Sequence, residues 1–338
     1  MKICVTGGMG YIGSHTVVQL IESGYEPVIV DNLVNSNKEV LNRLKTITGK
    51  DVKFYELDVR DEAKLDECFA KEHFDAVIHF AGLKAVGESV LKPQLYYDNN
   101  IGSTDVLLKV MKKYNVKNII FSSSATVYGD PERVPVVETD PIKQATNPYG
   151  QTKIEIEKIL QKESSKDPSL NIVILRYFNP IGSHASGLMG EDPWGIPNNL
   201  MPYISQVAVG RLKELTVFGD DYETPDGTCI RDYIHVEDLA SGHVAALKAI
   251  ERNCGLEIYN LGTGKGTSVL ELIRAFERAN RLKINYKIGA RRPGDIASNY
   301  AKTDKAFNEL GWKATHTIED ACRDSYNWQS KNPNGYQD

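Results

Sequence analysis

Short apolar runs alternate with longer helical patterns from the first residues of the chain. Lys2–Thr6 reads as a strand, Ile12–Ser23 as a helix closed by Gly24, and Pro27–Val30 as the next strand. Val52–Leu57, Ala76–Phe80, Ile119–Ser122 and Ile172–Phe178 continue the series, with helical segments between them. The apolar runs are continuous rather than alternating, which suits strands covered on both faces. Strand–helix alternation predicts an α/β fold with a doubly wound parallel sheet of the Rossmann type. After about residue 180 the pattern turns irregular and rich in Gly, Pro and Asn, as in Asn179–Ile196, Gly219–Thr228 and Arg291–Asp295. Helices are expected near Asn198–Val209, Val236–Ile250, Val269–Asn280 and Ile318–Ser330. Ser268 with Glu271 forms a capping-box pattern for one of them. The expected organisation is a parallel-sheet domain over 1–180, with a return of the chain near 232–258, and a smaller, loop-rich domain over 181–338.

Composition narrows the class. The chain has 338 residues, 41% apolar and 25% charged, as in an ordinary globular protein. A net charge of -5 gives no basic surface for nucleic acid or anionic membrane. Cys4, Cys68, Cys229, Cys254 and Cys322 are scattered, odd in number and without a CxxC pair, so neither a disulfide framework nor a zinc site is expected. No metal, no membrane span and a cytoplasmic location follow as expectations.

Chemistry begins at Thr6–Gly13. Gly7, Gly10 and Gly13 stand between the first strand and the first helix, where backbone must turn tightly and a helix start offers N–H groups to a pyrophosphate. Asp31 ends the second strand, 18 residues past Gly13, near the spacing of an acid that holds the adenosine ribose. The following Asn32-Leu33-Val34 brings no Arg or Lys for a 2′-phosphate, which favours NAD over NADP. A turn aspartate would look the same. Tyr149 and Lys153 are spaced to share a helix face. A cation there pulls a phenol down from its ordinary pKa near ~10, toward a usable base. Ser124 leaves another strand end at the same sheet edge. Taken alone, the pair is also what a surface helix carries; the three elements together point to an enzyme.

Gly7–His15, Ala81–Ser89, Ser122–Gly129, Arg176–Pro180, Ile196–Pro202, Arg231–His235 and Arg291–Asp295 carry a resemblance over essentially the whole chain. It resembles the extended short-chain dehydrogenase/reductases, and within them the bacterial-type epimerases of UDP-hexoses. The resemblance implies reversible inversion at carbon 4 of UDP-glucose and UDP-galactose through a transient 4-ketose, with NAD holding the hydride. Tyr149 would take the hydroxyl proton, Lys153 would lower the phenol pKa and bind the nicotinamide ribose, and Ser124 would position the hydroxyl or shuttle its proton. Tyr11, Ile12, Asp31, Asn32, Asp58, Val59, Phe80, Ala81, Lys84, Asn99 and Phe178 match cofactor-contacting positions. Arg231 and Arg292 match diphosphate-binding positions, where a guanidinium pairs bidentately. Asn179, Asn199, Leu200, Thr216, Val217, Phe218 and Asp295 match positions around the diphosphate, uracil and sugar. Asn299 stands where some relatives carry a tyrosine that closes the sugar pocket. The smaller side chain predicts room for UDP-N-acetylglucosamine and UDP-N-acetylgalactosamine. A homodimer through helices near Pro93–Tyr114 and Pro148–Ser165 is also implied. Two other readings compete: a nucleotide-sugar 4,6-dehydratase, disfavoured because no acid follows Ser124, and a non-catalytic NAD sensor, which has no use for Tyr149, Lys153 and the arginines together.

Overall fold

A computed structural model describes residues 1–336; positions 337 and 338, the end of the expected second domain, lie outside the described residues. The strand series forms one sheet: β1 (Lys2–Thr6), β2 (Glu26–Asp31), β3 (Lys53–Glu56), β4 (Ala76–His79), β5 (Asn118–Ser124), β6 (Asn171–Tyr177) and β7 (Leu256–Leu261). Its order is β3-β2-β1-β4-β5-β6-β7, with every neighbouring pair parallel. Continuous apolar runs are explained by the two cores. Ile3, Val5, Ile29, Ile78 and Val173 point to one face, where α1 (Tyr11–Glu22) supplies Val17, Leu20 and Ile21. Cys4, Val28, Val77, Phe121 and Ile174 point to the other, against Phe69, Leu107 and Met111. Side chains alternate along each strand, but both faces are buried, so the sequence shows no polar alternation.

Two further helices fix the site. α2 (Pro148–Lys166) starts where the Asn147 carboxamide oxygen accepts the Gly150 N–H at 2.9 Å and Pro148 occupies the first helical position. α3 (Val236–Glu251) packs its Leu239, Ala246, Leu247 and Ile250 in the same core as α1 and hands the chain to β7 at the sheet edge.

A smaller lobe has its own core of Ile204, Val217, Tyr233, Leu272, Phe276 and Cys322. It contains α4 (Val269–Asn280), which opens with the capping box of Ser268 and Glu271, and α5 (Ile318–Lys331). Its strands are short: Leu215–Phe218, Ile230–Arg231 and Ser298–Asn299 among them. The single helix expected near Pro93–Tyr114 is instead interrupted. Pro93–Tyr96 and Gly102–Lys113 flank a wide π-helical turn at Tyr97–Ile101. That turn carries Asn100, whose carboxamide bonds Leu83 N–H and C=O at 2.7 and 3.0 Å. Nothing in apolar spacing signals a one-residue widening of a helix.

Candidate active site

Strand order reverses at β1, between β2 and β4, and a crevice opens at the carboxyl ends there, as doubly wound sheets require. A cleft of about 580 Å³ occupies it and runs from Asp31 to Tyr149, inside the ~300–1,000 Å³ range of ordinary cofactor sites. The glycine turn is shaped by contact: a Cβ on Gly7 would lie 2.7 Å from the Ala81 N, and one on Gly13 would lie 2.3 Å from the Gly7 oxygen. Gly7 also has φ +71°, a conformation that favours glycine. Gly10, Tyr11 and Ile12 line the cleft with them.

Asp31 sits at the far end. Its carboxylate accepts the Met9 N–H at 3.0 Å, the Leu33 N–H at 2.9 Å and the Ser36 hydroxyl at 3.0 Å. Burial raises its pKa, and those hydrogen bonds act against the rise. Asn32 donates to Asp58 at 3.1 Å, and Arg60 grips Asp58 at 2.9 and 2.7 Å. The Arg60 hydrogen bonds bring the Asp58 carboxyl down to about 2. Val59, Phe80, Ala81, Lys84 and Asn99 also line the cleft. Phe178 does not: its ring is buried with Val127, Tyr128 and Ile154 beneath the site.

Tyr149, Lys153 and Glu157 recur at helical spacing on the buried side of α2. Glu157 is fully buried and accepts from Ser123 at 2.6 Å and from the Arg176 guanidinium at 2.7 to 3.2 Å. Arg176 also donates to the Tyr128 hydroxyl at 3.1 Å, and Tyr128 donates to Asn260 at 2.6 Å. This network ties α2 to β5, β6 and β7, so Tyr149, Lys153 and Ser124 stand on connected rigid elements. Lys153 Nζ donates to the Ser122 carbonyl at 2.8 Å and lies 4.7 Å from the Phe121 ring centre. Burial lowers its pKa to about 8.

One expectation is corrected. Lys153 Nζ is 6.0 Å from the Tyr149 ring centre and is aimed at a strand carbonyl. Burial raises the phenol above its ordinary value. The groups that pull it back are the nearby hydroxyls of Tyr177 and Ser124 and the charge of Lys84. The shared helix face brings Lys153 to 6.0 Å from the phenol ring centre, and burial outweighs the groups that pull the phenol down. Tyr177, at the end of β6, is the site residue that sequence reading missed, although it lies inside a segment that carries the resemblance. Glu191 is a second. It pairs with Lys84 at 3.1 Å and accepts from Asn199 at 3.0 Å, bridging the two sides of the cleft mouth. It lies in an irregular stretch with no sequence signal.

The residues matched to the nucleotide sugar are divided. Asn199 lines the cleft, and Leu200 opens the following helix. Asn179 is exposed just past the end of β6. Phe218, Arg231, Arg292, Asp295 and Asn299 lie outside the cleft lining, in the smaller lobe. There they converge. The Arg292 guanidinium is 5.7 Å from the exposed Phe218 ring and is paired with Asp295 at 2.9 Å. Asn299 pairs in register with Arg231, whose guanidinium donates to the Ile230 and Ile296 carbonyls. Asn299 is buried, and its Oδ1 has no hydrogen-bond partner among the described residues. Thr216 is half-buried, while the Val217 side chain is core, so only its backbone is available to a ligand.

A switch-point cleft with a buried Tyr-x-x-x-Lys pair, extended by an arginine-bearing lobe, defines a dinucleotide-dependent enzyme of the short-chain dehydrogenase/reductase type. The chain belongs to the NAD dependent epimerase/dehydratase family, whose model matches residues 3–262. It is 57% identical to the UDP-glucose 4-epimerase of Bacillus subtilis over 100% of this chain and 99% of that one. It is 56% identical to the UDP-glucose 4-epimerase of Dictyostelium discoideum over 100% of this chain and 98% of the relative. Among solved structures, UDP-glucose 4-epimerase from Bifidobacterium longum in complex with NAD+ and UDP superimposes with a TM-score of 0.96 at 59% identity, covering 99% of this chain and 100% of that one.

Proposed function

We propose that this protein interconverts UDP-glucose and UDP-galactose by inversion at carbon 4 through a transient 4-ketose, with tightly held NAD. The observation that carries the reading is the cleft itself: one continuous cavity joins the Gly7 turn and Asp31 to Tyr149 and Lys153. Its glycines leave room that side chains would fill, so the residues present fit a dinucleotide. When bound, NAD supplies the hydride acceptor and donor. Tyr149 takes the 4-hydroxyl proton and returns it, and the nearby Tyr177 and Ser124 hydroxyls act against the rise that burial imposes on its pKa. Lys153 stands under the cleft as a cation held by the Ser122 carbonyl. Arg231 and Arg292 pair with the diphosphate, and Phe218 offers a face to the uracil. Anchoring the nucleotide there leaves the sugar free to present either face.

The 3₁₀ turn Ala125–Tyr128 that follows Ser124 brings no carboxylic acid, which supports epimerisation over 4,6-dehydration. Acceptance of UDP-N-acetylhexosamines is part of the reading, supported by the small Asn299, whose Oδ1 is unpartnered among the described residues. A cytoplasmic homodimer is also part of it. All five cysteines are free, and no described helix is long and apolar enough to cross a membrane. Leu107 and Met111 fill the chain's own core, whereas Leu91 and Leu95 are exposed and available to a second copy. Purified protein incubated with UDP-galactose, without added cofactor, should form UDP-glucose and, more slowly, convert both N-acetylated sugars. A 4-keto-6-deoxy sugar, or no product despite bound NAD, would overturn the assignment.

A further inference from the structure

The last described residue joins three parts of the molecule that are far apart in sequence. Tyr336 donates its N–H to the Asp192 carboxylate at 2.9 Å. Its hydroxyl accepts from the Gly190 N–H at 3.2 Å and lies 3.3 Å from the Gly190 carbonyl. Its own carbonyl accepts from the Asn37 side chain at 3.2 Å. The ring leans on Trp328 of α5 at 4.6 Å between centres, and Trp328 in turn donates to the Glu191 carbonyl at 3.3 Å. Gly335 makes this path specific: its φ is +82°, and a Cβ there would lie 2.2 Å from the Asp192 carboxylate. Only glycine lets the chain pass that close.

The position of these contacts matters more than their number. Asn37 ends the turn after β2, the same turn whose Ser36 holds Asp31. Asp192 belongs to the segment that carries Glu191, the residue bridged to Lys84 across the cleft mouth. Tyr336, Asn37 and Asp192 all line the cleft at its Asp31 end. Tyr336 thus contacts both the β2 turn, through Asn37, and the 190–192 segment.

We propose that Tyr336 is a strap over the adenosine end of the dinucleotide cleft, holding the turn after β2 against the 190–192 segment and slowing cofactor escape. The proposal rests on the NAD reading above and assigns a residue to retention of the cofactor. A group that must let go before a ligand can leave acts chiefly on the dissociation rate. Loss of its hydrogen bonds, each worth about 0.5–1.5 kcal/mol, translates to a severalfold change per contact.

Three variants separate the contacts: Tyr336→Ala removes ring and hydroxyl, Tyr336→Phe keeps the ring on Trp328, and Asn37→Ala keeps Tyr336 whole. NAD release is followed by trapping nucleotide that leaves the purified holoprotein, and thermal melting of each apo form is recorded alongside. UDP affinity, read by calorimetry, reports on the other lobe. Expected are release about tenfold faster for Tyr336→Ala and about threefold for the other two, with UDP affinity moved less than about twofold. The expected excess persists far below each melting temperature, where a merely structural loss leaves release unchanged. Wild-type release rates in Tyr336→Ala and Asn37→Ala would overturn the strap alone. A wild-type protein that binds no NAD would instead overturn the functional reading, and the strap with it.

Discussion

The two halves of the proposed site are built on different principles. Tyr149, Lys153 and Ser124 stand on α2 and β5, which the buried Glu157–Arg176 pair ties to β6 of a seven-stranded sheet. Phe218, Arg231, Arg292 and Asn299 stand on two- to four-residue strands and turns of the smaller lobe, where Arg292 is exposed and ion-paired with Asp295. Proton transfer needs a fixed oxygen, and a rigid framework supplies one. Gripping a diphosphate while the sugar turns needs charge and reach, which loops supply. Perturbing the first half should damage chemistry or folding; perturbing the second should damage binding.

The largest effect is expected from Tyr149→Phe. Turnover of UDP-galactose should fall about 10³-fold or more, while bound NAD, read by absorbance after gel filtration, remains. Loss of NAD together with activity would mean that the phenol is structural. Next is Glu157→Ala, which strands the buried Arg176 guanidinium. Denaturant unfolding should show a loss of about 3–5 kcal/mol, although Glu157 touches no ligand position. A loss under about 1 kcal/mol would show that the framework does not depend on this pair.

Lys153 gives a pH signature. Its folded pKa of about 8 lies below the ordinary 10.5 of the unfolded chain. Between those values the unfolded state holds the proton that the folded state has released, so stability rises with pH across that window. Relative to Lys153→Met, the wild-type apo protein should gain on the order of 3 kcal/mol between pH 7 and pH 10.5. A flat difference would place the ammonium in solvent. The smallest effect is expected from Arg292→Ala. It should raise the KM for UDP-galactose about tenfold or more and make it less salt-sensitive, with kcat little changed and the fold intact. A fall in kcat at unchanged KM would reverse the roles of the halves.

What the residues disclosed follows the same division. Continuous apolar runs located six of the seven strands of the large sheet to within two residues, because burial on both faces leaves a dense signal; the edge strand β7, late in the chain, was not picked out. The glycine turn and Asp31 were legible because their spacing is set by one strand–helix–strand unit. The partners of Tyr149 were not. Tyr177 and Lys84 reach it from the ends of different strands, and the direction of its pKa depends on desolvation that no spacing reports. Glu191 and Tyr336 act through loops, whose paths follow from backbone contacts rather than periodicity. In the smaller lobe the arginines were found by resemblance alone; exposed charge on irregular chain has no pattern of its own.

The account stands on a hydride that leaves carbon 4 and returns to it without exchanging with solvent. Converting UDP-galactose in D₂O, on protein carrying its own NAD, measures this most directly. UDP-glucose without deuterium at carbon 4 is the predicted result. Deuterium incorporated there at each turnover would show proton chemistry at carbon and contradict it.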